Sequence, residues 1–585
     1  RVPDPVVVID KIEHGLVARL GAIVKVNGVR RIVFAPTNRH TWVRDGNVIR
    51  PLPRDVADVF AELMGGGDAS NLRFADAIQL LRRGRNGAMA VEATAAFLQK
   101  GLAGAESLEG KIAVPGLVAT LFPYQARGVR WMAETIGHTG GLILADEMGL
   151  GKTLQVIALL LLYAPAEPGP ALVICPTSLI ANWVREFERF APHMIVMVHR
   201  GPERTGTYRD LQKPNVVVTT YDTMVNDISI FSSFEWAWVI CDEAQAIKNP
   251  ESQRRKAVAT IPRRRAIPMT GTPVENSLLD LWSLVDFAVP GLLGSVQEFE
   301  IAYPDSVESA QSLATYTDPL ILRRRVADVA GDLPERIDID VPLELEGKLA
   351  AHYRQVRKQV LAAYGGAGPL VATLQLQMVC AHPWLRQVDE DSESDQAELV
   401  RGDNFPLMTQ KLERASDLIK EAFSEGKKVL VFAVFNRIGD LLREAIGGLG
   451  CCFWNVINGG TEQEDRQEII DRFSAFDGPA CLVLNPKAAG VGLNITAATV
   501  VIHFSPLWNP AMEAQASARA HRRGQTLPVT VFRLFYRDTV EEVMLQRAQW
   551  KRELANESVP LSSRDGADLK RALEIEPGRS NEEDF

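Results

Sequence analysis

Leu142-Ile143-Leu144-Ala145-Asp146-Glu147-Met148-Gly149-Leu150-Gly151-Lys152-Thr153-Leu154-Gln155 is the stretch around which the chain is organised. Its first four residues are apolar and read as a short buried strand. A glycine-rich turn follows, then Lys152-Thr153, then an apolar helical run. Strand, loop and helix in that order suit a polyphosphate. Glycines let backbone N–H groups curl around oxyanions, the helix N-terminus adds partial positive charge, and a lysine reaches the outer phosphates. The hydroxyl after the lysine can ligate Mg²⁺. The strict pattern wants glycine where Asp146 stands, so an ordinary strand-to-helix turn containing Gly-Lys-Thr is the competing reading. On the phosphate reading Asp146, Gly149, Gly151, Lys152 and Thr153 form the binding set, and a nucleotide polyphosphate with Mg²⁺ is the expected ligand.

At 585 residues the chain exceeds what one core can organise. Hydrophobic content of 46% and charged content of 23% are those of an ordinary globular protein. No apolar run approaches the ~20 residues of a membrane helix, so no membrane partner is expected. The chain begins at Arg1 rather than Met, which leaves room for a lost leader or a larger parent protein. Its six cysteines show neither CxxC pairs nor zinc-finger spacing, and most sit in apolar strand-like runs. They read as reduced buried thiols of a cytoplasmic protein. A net charge of −9 argues against coating nucleic acid with the whole surface. Basic clusters at Arg82-Arg83, Arg254 to Lys256, Arg263 to Arg265, Arg323 to Arg325 and Arg522-Arg523 read singly as solvated faces. Contact with DNA is therefore expected to be confined to a cleft and to weaken with salt.

Residues 1–110 read as a separate β/α accessory module without evident chemistry. Two strand-like runs flank Asn27-Gly28, a strong hairpin signal. Asp45-Gly46 marks another turn. Helical patterns follow in VADVFAELM, ADAIQLLRR and VEATAAFLQKGL. Residues 111–330 alternate apolar strands with amphipathic helices, which predicts a mostly parallel sheet covered on both faces. Residues 331–410 break the rhythm with a charged helical stretch and the acidic run Asp389 to Glu398, expected to be a surface loop. Residues 411–555 resume the alternation as a second α/β domain, and 556–585 read as a frayed polar tail.

A second constellation sits at Asp242-Glu243, after the apolar run Trp238 to Cys241. Adjacent carboxylates at a strand end suit two tasks: Asp242 can hold Mg²⁺, and Glu243 can polarise an attacking water. Downstream of a phosphate loop this pair gains weight. With it, the chain resembles superfamily 2 helicases, and more narrowly the Swi/Snf-type DNA-dependent ATPases. The similarity runs through LFPYQARGVRWM, DEMGLGKTLQ, CPTSLIANWVREF, DEAQ, MTGTPVENSLLDLWSL, PLILRRR, VCAHPWL, AAGVGLNITAATVVIHFSPLWNP and RAHRRGQ, in the order that family shows, over residues ~115–550.

The resemblance implies an α/β fold with two RecA-like parallel-sheet lobes and a helical protrusion over 331–410, beside the N-terminal β/α module. It implies ATP hydrolysis stimulated by DNA, duplex in form, and translocation rather than obligatory strand separation. It places Gln125 beside the adenine and Lys152 on the outer phosphates. Thr153 and Asp242 fall to the metal, and Glu243 to the water. Thr270, Gly271 and Thr272 would relay nucleotide state, Gln515 opens the arginine motif, and Arg519 with Arg522 would reach the γ-phosphate. The sequence departs from the family at Ala518, Arg523, Ala489 and Asn485. Three weaker signals have blander readings. Glu346-Gly347-Lys348 after Asp340 faintly resembles a nuclease pattern but suits a helix start. His382-Pro383-Trp384 suits packing, and Trp508-Asn509-Pro510 a structural turn. The rival reading is a nucleotide-regulated scaffold or fragment of a larger protein coupled to a nuclease, in antiphage defence of the Zorya type for instance.

Overall fold

Strands buried on both faces read as near-continuous apolar runs. Ala171–Cys175, Val216–Thr220 and Trp236–Asp242 are buried throughout. In the computed structural model they lie in a seven-stranded sheet. Its order is Ile321–Leu322, Ile143–Leu144, Arg263–Met269, Trp236–Asp242, Ala171–Cys175, Val216–Thr220, Val196–His199, and each pairing is parallel. The structure describes the chain apart from residues 1, 13–14, 27–28, 85–88, 95–111, 164–168, 272–276, 330–332, 365–368, 388–396, 402–404, 449–451, 487–494, 523, 556–570, 574, 576 and 578–585.

The chain divides into two compact units. The first is Arg1–Asp146 with Gly151–Arg324; the second is Glu147–Leu150 with Arg325–Phe585. The second unit holds a six-stranded sheet in the order Arg336–Leu343, Val529–Tyr536, Val500–His503, Lys428–Phe432, Ala480–Leu484, Phe453–Ile457, again parallel at every pairing. Helices Gly347–Tyr364 and Pro369–Ala381 supply the expected helical protrusion. The fold is thus α/β with two parallel-sheet lobes.

The N-terminal module contains a four-stranded sheet in the order Val29–Phe34, Gly15–Val26, Asp4–Ile12, Ala90–Ala93. Asp45-Gly46 turns between strands Trp42–Asp45 and Val48–Pro51, with Gly46 at φ 61°. Helices Val56–Met64 and Phe74–Gly84 follow. The module is less separate than its sequence suggests. Its buried residues, such as Ile78 and Leu81, belong to one apolar cluster with Leu284 and Phe287 of the first lobe. Gln79 Nε2 also donates to the Gly291 carbonyl at 2.8 Å.

Four local expectations need correction. Ala90–Ala93 is a strand parallel to Asp4–Ile12, not the start of a helix; four residues paired to a sheet edge override a weak helical pattern. Arg263–Met269 is a sheet strand, and Arg263 and Arg265 are taken into packing while Arg264 stays exposed. Arg263 donates to the Phe287 carbonyl at 2.8 Å and lies 4.4 Å over that ring. Arg336–Leu343, within the stretch read as helical, is the edge strand of the second sheet. Its outward polar residues hid it, as edge strands are solvated on one side. The tail is not frayed throughout: Ala572 and Leu573 are buried in a cluster with Tyr353 and Tyr536. The Asn27-Gly28 turn and most of the acidic run lie outside the described residues.

Candidate functional site

In a parallel sheet, ligands gather at the C-terminal strand ends, where loops lead into helices. Lys152, Thr153, Asp242 and Glu243 fall there. The loop after Ile143–Leu144 carries Gly149 at φ 90° and Gly151 at φ 72°, backbone that L side chains rarely adopt. Space demands glycine at 151 as well, since a Cβ would lie 2.5 Å from Gln125 Nε2. Gln125 is thereby held against the loop, while its Oε1 accepts the Phe122 N–H at 3.1 Å. Helix Lys152–Tyr163 starts immediately after the loop and buries Gln155 through Leu161. Lys152 Nζ donates to the Asp146 carbonyl at 2.9 Å, and Thr153 is half-buried on the first turn.

Asp242 ends its strand and is 7% exposed. Its Oδ2 accepts from Trp183 Nε1 at 2.9 Å, its Oδ1 from the Glu243 N–H at 2.9 Å, and its carbonyl from the Tyr221 hydroxyl at 2.8 Å. Burial pushes the Asp242 carboxyl up to about 6, and neighbouring Glu243 adds to the rise; the Trp183 hydrogen bond and the Lys152 ammonium oppose it. A carboxylate so placed gains from a further positive charge. The donor set of one buried carboxylate, a threonine hydroxyl and a nearby lysine fits Mg²⁺ carried on phosphates, because that ion takes few protein ligands and keeps its waters. Asp242 and Thr153 would hold it. Among the described residues there is no cluster of three or more His, Cys, Asp or Glu that would suit a fully protein-ligated metal.

Glu243 sits in left-handed backbone, φ 50° and ψ 56°. Outside glycine and asparagine this conformation is strained and survives only where the surroundings fix it. Its Oε2 accepts from Gln245 Nε2 at 3.0 Å, and Gln245 Oε1 accepts from the Thr270 hydroxyl at 3.4 Å. The Thr270 N–H donates to the Leu144 carbonyl at 3.1 Å. Three strand ends are thus wired to one another, with Gln245 as the link between Glu243 and Thr270. Thr272 and Ala489 lie outside the described residues.

Asp146 differs from the rest of the expected binding set. Its carboxylate is fully buried and engaged by Arg324 and Gln155. What it offers the loop is its carbonyl. The sequence showed Arg324 only inside the family-like run PLILRRR, with nothing to point to Asp146 as its partner.

In the second unit Gln515 lies on helix Pro510–Ser517, half-buried, and Arg519 and Arg522 lie on the turn beyond it. Arg519 is 4% exposed and Arg522 half-buried. Gln525 fixes that turn by donating to the Thr496, Ala498 and Ala520 carbonyls at 2.9–3.2 Å. Glu513 anchors the helix to strand Val529–Tyr536 through Arg533 Nε at 2.7 Å. Asn485, at the end of Ala480–Leu484, donates to the Val434 carbonyl at 2.7 Å and to Asn436 Oδ1 at 3.2 Å. The blander readings of two weak signals stand. His382 accepts the Trp384 N–H and lies edge-on to that ring, and Trp508 packs under Arg547, 4.6 Å away. Asp340 is taken up by Arg533 Nη1 at 2.9 Å, so the nuclease-like pattern lacks a disengaged carboxylate there.

Residues 124–385 match the SNF2-related domain, and residues 410–524 the helicase conserved C-terminal domain. The chain belongs to the Swi/Snf-type, helicase-like family. Similar members include a protein of Mycoplasma pneumoniae named as an ATP-dependent helicase, 34% identical over 454 residues, which are 76% of this chain and 42% of that one. The ISWI chromatin-remodeling complex ATPase ISW1 of Saccharomyces cerevisiae is 32% identical over 461 residues, 74% of this chain and 40% of its own length. This Swi/Snf-type chain thus spans about two fifths of these curated relatives. Among solved structures, the SWI2/SNF2 ATPase core of Sulfolobus solfataricus in complex with dsDNA is 31% identical, covering 80% of this chain and 100% of that one, with a TM-score of 0.40. No helix among the described residues is long and apolar enough to cross a membrane.

Proposed function

We propose that this chain is an ATP-driven motor acting on duplex DNA. The observation that carries the reading is the meeting of Lys152, Asp242 and Glu243 at one edge of a parallel sheet, with the Lys152 ammonium acting electrostatically on the Asp242 carboxyl. Gln125 orients the base side and Lys152 grips the outer phosphates. Thr153 and Asp242 hold Mg²⁺, whose charge offsets that accumulating on the phosphoryl oxygens. Glu243, fixed by its backbone and by Gln245, orients the attacking water. The family resemblance assigns Arg519 and Arg522 to the γ-phosphate and Gln515 to the opening of that motif. The proposed domain scheme has boundaries near residues 110, 330, 410 and 555, with strand Arg336–Leu343 counted in the sheet of the second lobe. Buried Cys175, Cys241, Cys380 and Cys481 are free thiols, which supports a cytoplasmic setting.

The test is the ATP hydrolysis rate with duplex, single-stranded and no nucleic acid at low salt, with the same DNA inspected for cleavage. The reading expects duplex DNA to stimulate hydrolysis and to remain intact. Hydrolysis indifferent to DNA would overturn the motor reading, and cleaved DNA would favour a nuclease-coupled protein.

A further inference from the structure

Asp146 and Arg324 form a buried ion pair between residues 178 positions apart. Their side chains are 0% and 8% exposed. Arg324 Nε and Nη2 donate to the two Asp146 oxygens at 3.0 and 2.5 Å. Nη2 also donates to Gln155 Oε1 at 2.6 Å, and Nη1 to the Tyr124 carbonyl. Gln155 Nε2 returns a bond to Asp146 at 3.1 Å. The guanidinium lies 5.2 Å over the Tyr124 ring. One side chain therefore joins the helix that opens at Pro123, the phosphate loop and the helix that follows it. Gly128 leaves room for this: a Cβ there would stand 2.5 Å from Gln155 Oε1 and 2.6 Å from Arg324 Nη2.

Two charges withdrawn from water are tolerated only when their donors and acceptors are matched. Here the matching continues past the pair. The Asp146 carbonyl accepts Lys152 Nζ, so guanidinium, carboxylate, carbonyl and ammonium form one chain. The next residue, Glu147, accepts the Val326 N–H at 2.7 Å. The first unit ends at Arg324, and the second takes up at Arg325; the same division falls between Asp146 and Glu147. The connector between the units is fastened on both sides of the break to the two residues that open the phosphate loop.

We propose that Arg324 is a positioning residue that ties the interlobe connector to the phosphate loop, so that a displacement of the connector is felt at Lys152. Arg324 touches no phosphate in this scheme; it acts through Asp146. The inference rests on the loop being the nucleotide site, yet its central test does not require hydrolysis.

That test is hydrogen exchange at the amides of residues 147–152, beside the KM and kcat for ATP. Arg324→Lys keeps the charge but cannot engage Asp146, Gln155 and Tyr124 together. It should speed exchange in the loop about tenfold while strand Trp236–Asp242 is unaltered, and raise KM about tenfold with a smaller change in kcat. Glu147→Ala, at an exposed position, should speed the same loop and Val326 about threefold. Should the single change unfold the chain, the paired change Asp146→Asn with Arg324→Met removes both charges and keeps volume, a replacement buried ion pairs commonly tolerate. Loop exchange and KM equal to the unaltered protein, in Arg324→Lys or in the folded pair, would overturn the inference. Faster loop exchange in a protein that hydrolyses no ATP would sustain the clasp and remove the motor.

Discussion

The two parallel sheets end differently. At the C-terminal edge of the first, Asp242 holds a carboxyl raised to about 6 beside Glu243, and Lys152 rests on a backbone carbonyl. At the second, polar groups close upon each other. Asn485 donates to Val434 and Asn436, and Arg533 binds Glu513, Asp338 and Asp340. His503 meets the Ser517 hydroxyl at 2.8 Å, and burial pushes its imidazole down to about 4, which keeps it neutral at physiological pH. Lys411 and Glu541 form a fully buried pair. One architecture thus supports two electrostatic states. The first edge holds carboxylates that a cation on a triphosphate would relieve, whereas at the second the carboxylates of Glu513, Asp338, Asp340 and Glu541 already have a basic partner. A buried carboxyl pushed up beside a second carboxylate marks function more reliably than a network of matched charges.

The comparison is broken most sharply by Glu243→Gln. If the first edge is the reactive one, this change keeps nucleotide binding but lowers turnover on the order of 10³-fold. ATP affinity measured beside kcat decides it, and an unchanged kcat would strip Glu243 of its role.

A smaller effect is expected from pH. The Asp242 carboxyl is raised from its ordinary 3.8 to about 6. The folded state therefore holds that proton more tightly than the unfolded chain. The associated stability is fully present below about 4 and is lost as pH rises through about 6. Affinity for Mg²⁺ with ATP runs the other way, since a metal ligand must be deprotonated. It should fall by up to about tenfold per unit as pH drops below 6, read as Kd between pH 5 and 8. A flat profile would remove Asp242 from the metal.

The smallest effect belongs to the second edge. Asn485→Asp deletes two donated hydrogen bonds from a balanced site, and should lower stability by ~1–3 kcal/mol with ATP affinity unmoved. Denaturant melts with parallel affinity measurements check it; a change in affinity larger than the change in stability would blur the distinction between the two edges.

Both sheets were legible because their inner strands are continuous apolar runs, such as Ala171–Cys175 and Ala480–Leu484. The phosphate loop and Asp242-Glu243 were legible because their chemistry is local. Arg263–Met269 was hidden because arginines can set their guanidinium groups over aromatic rings, as Arg265 does over Tyr163 and Trp238. Arg336–Leu343 was hidden because an edge strand lacks the continuous apolar signature. The place of Asp146 was hidden for a third reason. Its partner is distant in sequence, and no local pattern announces a contact of that kind.

The apolar cluster shared by the N-terminal module and the first lobe bears on how the protein can be handled. Helix Phe74–Gly84 packs toward helix Pro123–Thr139, and its Ile78 and Leu81 are buried in the cluster that also holds Leu284 and Phe287. A shortened version starting near residue 112, chosen to isolate the motor, would strip that cover and leave greasy surface facing solvent. Precipitation on purification is the expected result, and keeping the first hundred residues is the remedy.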